Sequence, residues 1–377
     1  MKTKNTNSVD FINRQNTIRD ALQDSELEAF VFNAGPSLRY FTGLDFHLME
    51  RPVILIISQE KDPCFVLPDF EKGKLNSISF AHSNFSYDED PQNWDQSFSN
   101  AVSHVGLDGL NVGVEDTRLR FLEMGFLQKA APAAKFMSGN EMIANIRERK
   151  GATEIASMRK AAQLAEQALE NTLKEFKPGQ TEKEIASRLV AELLALGSDP
   201  ELPFFPIVAG GPNSANPHAT PTDRPVQEGD LLLVDWGASV DAYFSDITRT
   251  FAVGEVEPEL LQIHETVRLA NEAARKQVQL GVTCSSIDKA ARDVIEDSGY
   301  GQFFTHRTGH GLGLEAHETP YIRDGNEVKL QAGMTFTIEP GIYLEGRGGV
   351  RIEDNIAVTA DGGKSLTSFP RKIRTLG

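Results

Sequence analysis

Gln227-Glu-Gly-Asp-Leu-Leu-Leu-Val-Asp235-Trp-Gly237 and Gln331-Ala-Gly-Met-Thr-Phe-Thr-Ile-Glu339-Pro-Gly341 share one plan: Gln-x-Gly, five residues, an acid, one residue, a glycine. Each reads as an apolar strand closed by a carboxylate. A second matched pair lies upstream of them. Gly179-x-Thr181-x-x-x-Ile185 followed by Gly197 has the same offsets as Gly281-x-Thr283-x-x-x-Ile287 followed by Gly299. The later copies stand 102 to 104 residues after the earlier ones (179 to 281, 235 to 339). Two matches in the same order point to an internal duplication, two α-α-β-β halves around a pseudo-twofold axis. One acid takes the equivalent position in each half, which would bring both close to that axis.

Working outward, apolar residues at helical spacing over Ala152–Phe176 stop at Lys177-Pro178-Gly179. Thr181-x-x-Glu184 reads as a capping box opening a second helix to Leu196. The later half predicts a helix over Glu259–Leu280, stopped by Gly281, and another opened by Ser285-x-x-Asp288 and ending at Gly299. Before about residue 145 the texture differs. Helical spacing at Phe11–Leu22 and Leu119–Ala130 alternates with strand-sized runs at Phe30–Asn33, Val53–Ile57, Cys64–Leu67 and Asn111–Glu115. These patterns predict an α/β domain over residues 1–144 and a duplicated α+β domain over 145–377. The first holds no catalytic constellation; His47 beside Glu50 reads as surface chemistry.

The chain has 377 residues, enough for two domains at roughly 100–200 residues each. Its net charge of −16 argues against a nucleic-acid partner, which would require clustered Lys and Arg. The densest basic run, Arg147-Glu-Arg-Lys150, reads as a solvated linker face. No run approaches the ~18 apolar residues of a membrane span, and no apolar stretch follows the basic N-terminus as in a secretory signal. Cys64 and Cys284 stand far apart. That excludes a disulfide scaffold and a thiolate zinc site, and favours a reducing cytoplasm.

Four acids carry the chemistry: Asp235, Asp246 in Ser-Asp246-Ile-Thr-Arg-Thr, Glu339, and Glu353 in Arg351-Ile-Glu353-Asp. Between the pairs lies Thr308-Gly-His310-Gly-Leu-Gly-Leu-Glu-Ala-His317. Carboxylates on apolar strands are expensive to bury without countercharge. Arg249 and Arg351 are too few for four, whereas two divalent cations bring +4 against −4. An oxygen-rich set with one imidazole suits Mn²⁺ or a related ion better than structural zinc. HExxH, GxSxG and GxxxxGK[ST] are all missing from the sequence. The glycines around His310 argue against a helical pair with His306 and for extended chain needing close backbone approach.

The ordered set Asp235, Asp246, His310, Glu339, Glu353, with its flanking words, resembles the dinuclear metallopeptidases of the pita-bread fold. These are the Xaa-Pro dipeptidases (prolidases), Xaa-Pro aminopeptidases and methionine aminopeptidases. The likeness covers roughly residues 145–370, and the N-terminal portion resembles the smaller α/β domain of the Xaa-Pro and creatinase branches. The resemblance implies that Asp235 chelates one ion, that Asp246 and Glu353 bridge two, and that His310 and Glu339 complete the second ion's shell. Mn²⁺ is the favoured ion, with Co²⁺ or Zn²⁺ as alternatives. Glu339, or the metal-bound hydroxide it orders, would be the general base. His218, in Asn-Pro-His218-Ala-Thr, and His317 would stabilise the tetrahedral intermediate and protonate the leaving nitrogen. Arg351 would orient Glu353, His306 would line the pocket, and Arg323 would be a cation for a C-terminal carboxylate. The implied substrate is a peptide with proline at its second position, and the implied assembly is a homodimer. The choice between dipeptidase and aminopeptidase stays open at this point. So do two other uses of the scaffold: a creatinase-like hydrolase or lyase, and an inactive binding protein.

Overall fold

The computed structural model describes residues 8–377, which separate into two compact units meeting at Arg147/Glu148. This is three residues beyond the expected boundary. The last helix of the first unit runs through Arg147, whose Nη1 donates to Ser37 Oγ at 3.0 Å.

In the first unit, helices α1 (Ser8–Gln23), α2 (Pro36–Thr42), α3 (Trp94–Val105), α4 (Phe121–Ala130) and α5 (Asn140–Arg147) surround six strands. These are β1 (Ala29–Asn33), β2 (Ile54–Ser58), β3 (Cys64–Pro68), β4 (Ser83–Tyr87), β5 (Asn111–Val114) and β6 (Lys135–Ser138), in sheet order β4-β3-β2-β1-β5-β6. Val31, Ile54, Ile56 and Val66 pack against Phe98, Val102 and Leu127 of α3 and α4. Both edge strands escape the apolar-run reading because β4 (SNFSY) and β6 (KFMS) are half-exposed and polar, as suits a sheet edge.

The second unit opens with α6 (Ala152–Lys174) and α7 (Glu182–Ala195), then β7 (Ile207–Gly210), β8 (Leu231–Trp236), the hairpin β9 (Ser239–Val240) and β10 (Tyr243–Phe244), and β11 (Ile247–Val253). The plan recurs as α8 (Pro258–Gln277), α9 (Cys284–Asp297), β12 (Gly309–Gly311), β13 (Glu318–Ile322), β14 (Thr335–Ile338), the hairpin β15 (Gly341–Leu344) and β16 (Gly348–Arg351), and β17 (Asp354–Thr359). Strands β18 (Gly362–Ser365) and β19 (Thr375–Leu376) close the chain. The sheets run β19-β11-β8-β7 and β13-β12-β14-β17-β18, so β7-β8-β11 and β12-β14-β17 occupy matching places. The glycines that signal the repeat share a left-handed backbone that side chains disfavour: Gly179 and Gly281 at φ 95° and 79°, Gly229 and Gly333 at 91° and 92°. The duplication is thus written in backbone geometry.

Strand alternation sorts the two faces of each sheet. Leu232, Val234 and Trp236 of β8 and Ile247, Phe251 and Val253 of β11 pack on Leu169, Ile185 and Leu189 of α6 and α7. Phe336 and Ile338 of β14 and Ile356 and Val358 of β17 pack on Ile263, Val267 and Ile287 of α8 and α9. Each such side chain contributes about 1.5–3 kcal/mol. The alternate positions, Leu233, Asp235, Thr248, Thr250, Thr335, Thr337 and Asn355, are buried on the opposite faces. That polar layer becomes the site.

Two local expectations are corrected. The Arg147–Lys150 run is not a solvated face: Arg147, Glu148 and Lys150 are buried, and Lys150 Nζ pairs with Glu318 Oε2 at 2.7 Å. The second capping box does not form. Thr283 caps α9 by accepting from Ser286 N, which leaves Asp288 to accept from Arg292 and from Thr308 N. Thr181 and Glu184 do make the reciprocal box on α7.

Candidate metal centre

Asp235 is the penultimate residue of β8, Asp246 immediately precedes β11, His310 is the middle of β12, Glu339 follows β14, and Glu353 immediately precedes β17. One donor atom each from Asp246, His310 and Glu353 lies within 4.8 Å of the others, all buried. His310 Nε2 sits 3.2 Å from Glu339 Oε1 and 3.7 Å from Asp246 Oδ2. His310 Nδ1 faces the Gly311 carbonyl at 3.0 Å, which fixes the ring so that Nε2 is the nitrogen turned toward the acids. Close approach brings His310 in. A Cβ on Gly309 would stand 1.9 Å from the Thr337 carbonyl oxygen, and one on Gly311 2.0 Å from that of Thr319.

The acids are held by neighbours on the same polar faces. Thr248 Oγ1 donates to Glu353 Oε2 at 2.6 Å, and Thr337 Oγ1 to Glu339 Oε1 at 3.2 Å. Asn355 clamps the Asp246 backbone, accepting from its N–H and donating to its carbonyl. Arg351 meets Glu353 only through Thr248: its Nε donates to Thr248 Oγ1 at 3.0 Å, the hydroxyl that donates to Glu353, while its Nη2 donates directly to Asp235 Oδ2 at 2.7 Å. Among the described residues Arg249 pairs with none of the four carboxylates, though its Nη1 donates to the Glu353 backbone carbonyl at 2.6 Å. It pairs at 2.9 Å with Asp354, another buried carboxylate, which Arg371 also binds. Asp354 is held well below the usual carboxylate range: burial would raise it, but Arg249 and Arg371 prevail.

Electrostatics describes a cluster that wants positive charge. Burial pushes Asp246 and Glu353 well above the usual range, and the neighbouring carboxylates add to the effect. Burial also raises Asp235, against Arg351. Glu339 goes the other way: burial is overcome by His310, His306 and Arg351, which hold it at about 2. Four carboxylates this close cannot all ionise without a cation. Asp235 Oδ1 and Asp246 Oδ1 are buried with no hydrogen-bond partner among the described residues. Orphaned anionic oxygens beside a prepared imidazole fit hard divalent cations.

His317 stands edge-on to His310, ring centroids 4.2 Å apart, at an exposed position. Partial burial, His310 and Arg307 push it down to about 4, and the charge of His218 is also felt there. His218 itself is exposed on the loop between β7 and β8. His306 Nε2 meets the buried Tyr343 hydroxyl at 2.8 Å, and that hydroxyl also accepts from Arg351 Nη1 at 3.0 Å. Arg323 is not brought to this cluster. It lies exposed in the turn after β13, with Nη1 on the Asp324 carbonyl. Arg307, by contrast, lies over the Tyr321 ring at 4.5 Å, and its charge is felt at His317. Sequence reasoning missed Arg307, Tyr343, Asn355 and Asp354. Asp354 and Arg307 adjoin quoted motif residues, so adjacency was the available signal.

The ligand-bearing half of the chain matches Metallopeptidase family M24 over residues 156–360. The chain belongs to that family. Residues 14–149 match the Creatinase/Prolidase N-terminal domain. An Xaa-Pro dipeptidase from Lactobacillus delbrueckii subsp. lactis is 33% identical, covering 95% of this chain and 98% of the relative. Among solved structures, a dipeptidase from Pyrococcus horikoshii superposes with a TM-score of 0.91 at 36% identity, covering 96% of this chain and 100% of the other. A prolidase from Thermococcus sibiricus gives 0.92 at 32%, covering 97% and 99%. The M24 chain is thus a pita-bread metallopeptidase with a creatinase-type N-terminal domain, and the family implies divalent metal ions. Among the described residues, no helix is long and apolar enough to cross a membrane.

Proposed function

We propose that the protein is an Xaa-Pro dipeptidase that uses two divalent cations, Mn²⁺ before Co²⁺ or Zn²⁺, held by Asp235, Asp246, His310, Glu339 and Glu353. The observation that carries the dipeptidase choice is Arg307. Its guanidinium is half-buried beside His317 and makes no ion pair or hydrogen bond among the described residues. A cation left without an ion pair among the described residues, its charge felt at His317, suits the C-terminal carboxylate of a dipeptide. Arg307 therefore replaces Arg323 in that role.

Divalent cations there supply polarisation of the scissile carbonyl and activation of a water. The rest is the work of side chains. The acidic cluster attracts the substrate's free α-amino group. Glu339, whose side chain keeps 14% of its surface accessible, takes the proton from the attacking water. His218 and His317 stand at the exposed rim, where they meet the developing oxyanion and deliver a proton to the proline nitrogen. That nitrogen carries no hydrogen of its own, so its departure depends on such a donor. The full ligand set favours hydrolysis over a creatinase-like reaction or a bare binding role. Both cysteines are free and buried, which supports a reducing, cytoplasmic setting; a homodimer is the expected assembly, read by sedimentation.

The test compares kcat/KM for Xaa-Pro, its C-terminal amide and an Xaa-Pro-Yaa tripeptide, in the wild type and in Arg307→Met. A free-acid preference lost in Arg307→Met supports the dipeptidase. Equal turnover of acid, amide and tripeptide by the wild type would make it an aminopeptidase.

A further inference from the structure

His218 is exposed, and only its loop can place it. The loop leaves β7 at Gly210, carries His218, and returns past Thr222 to β8. Both of its ends converge on one buried carboxylate, Glu182, the first residue of α7 and 0% exposed. Gly210 N donates to Glu182 Oε1 at 2.7 Å. Asn213 Nδ2 reaches both oxygens at 3.0 and 3.1 Å. Thr222 donates twice to Oε2, from N at 2.9 Å and from Oγ1 at 2.6 Å. Between these anchors, Pro217, the residue before His218, accepts from Arg351 Nη1 at 3.2 Å. The loop is thus stapled at both ends by Glu182 and tied in the middle to the arginine that holds Asp235.

We propose that Glu182 is a positioning residue for His218: it closes the 210–222 loop and so sets where that imidazole meets the substrate. The duplication argues that the carboxylate is not there for the shared fold. The equivalent first position of α9, which begins 102 residues later (182 and 284), is Cys284, a buried thiol. The α-α-β frame therefore forms without an acid at this position. Every donor named points at an acceptor-only group, so an amide in its place would turn an N–H₂ toward other donors. None of the five candidate metal ligands lies on this loop, so a displacement acts first on His218, with Arg351 still held to Asp235 through its other nitrogen, Nη2.

This inference rests on the reading of His218 as a proton donor, and the test separates the two. Glu182→Gln, His218→Ala and the double variant are compared for kcat, KM and metal content on an Xaa-Pro dipeptide. Glu182→Gln should lower kcat about 10- to 100-fold, the scale of a misplaced catalytic group. Its KM should move less than about threefold and its metal content should stay unchanged. In the His218→Ala background the same substitution should change kcat by less than about twofold, because nothing is left to position. Thr222→Val, which removes one donor from the carboxylate, should show a smaller loss with the same dependence on His218, and it serves if Glu182→Gln folds poorly. Losses that multiply in the double variant, or metal loss in Glu182→Gln, overturn the positioning role and leave His218 untouched. Full turnover by His218→Ala overturns the reading of His218 and this inference with it.

Discussion

Arg351 Nη2 donates to Asp235 Oδ2 at 2.7 Å, while the other oxygen of that carboxylate, Oδ1, is buried without a partner. One oxygen is thus saturated by a guanidinium and the other is left for a cation. The arginine has fixed the orientation of a candidate ligand before any ion arrives. Replacing it should therefore act through metal affinity. Arg351→Met should weaken divalent-ion binding about 10- to 100-fold, read by competition with a chelating indicator. Unchanged affinity would mean that Arg351 does not set the orientation of Asp235 for an ion.

Removal of metal should abolish turnover, with Mn²⁺ or Co²⁺ restoring it best, given an oxygen-rich set with one imidazole. The stripped protein should also melt at a lower temperature, because Asp235, Asp246, Glu339 and Glu353 then face one another unneutralised. Calorimetry with and without chelator reads this. Full activity after stripping verified by elemental analysis would end the metal mechanism.

Glu353→Ala removes a buried acid that Thr248 orients, and it should lower both metal content and kcat. His218→Ala and His317→Ala should keep their metal and lose about 10²–10³-fold in kcat, with KM moving much less. Steady-state kinetics beside metal analysis on the three proteins separates ligand from proton donor. Metal loss from the histidine variants would reassign them.

His264, buried in α8, has its pKa pushed down by burial to about 4. The unfolded chain binds that proton near pH 6.5. Between the two values the unfolded state holds a proton that the folded state refuses. Stability should therefore fall as pH drops through about 6.5 and level off near 4. His264→Asn should lessen the loss between pH 7 and 5 by on the order of 1–2 kcal/mol. Urea melts at both pH values give the comparison, and identical pH dependence in the two proteins would refute it.

The sequence by itself determined the frame. Glycines at left-handed turns, the Thr181 cap and two acid-terminated strands are local requirements of backbone geometry. They recur at 102 and 104 residues because each half must satisfy the same turns. The four candidate carboxylate ligands were legible for a related reason: a carboxylate on an apolar strand is costly alone, so its residue type announces a partner. The identity of that partner was not legible. Arg351 and Glu353 stand two residues apart, yet the chain breaks from β16 to β17 between them, and the guanidinium goes to Asp235, 116 residues away. The Arg249 guanidinium likewise pairs with Asp354 and not with the four carboxylates, and it is the charge of Arg307 that is felt at His317. Spacing along a strand tells which face a side chain shares. Which charge it meets depends on how two sheets and their loops come together, and only the tertiary structure decides that.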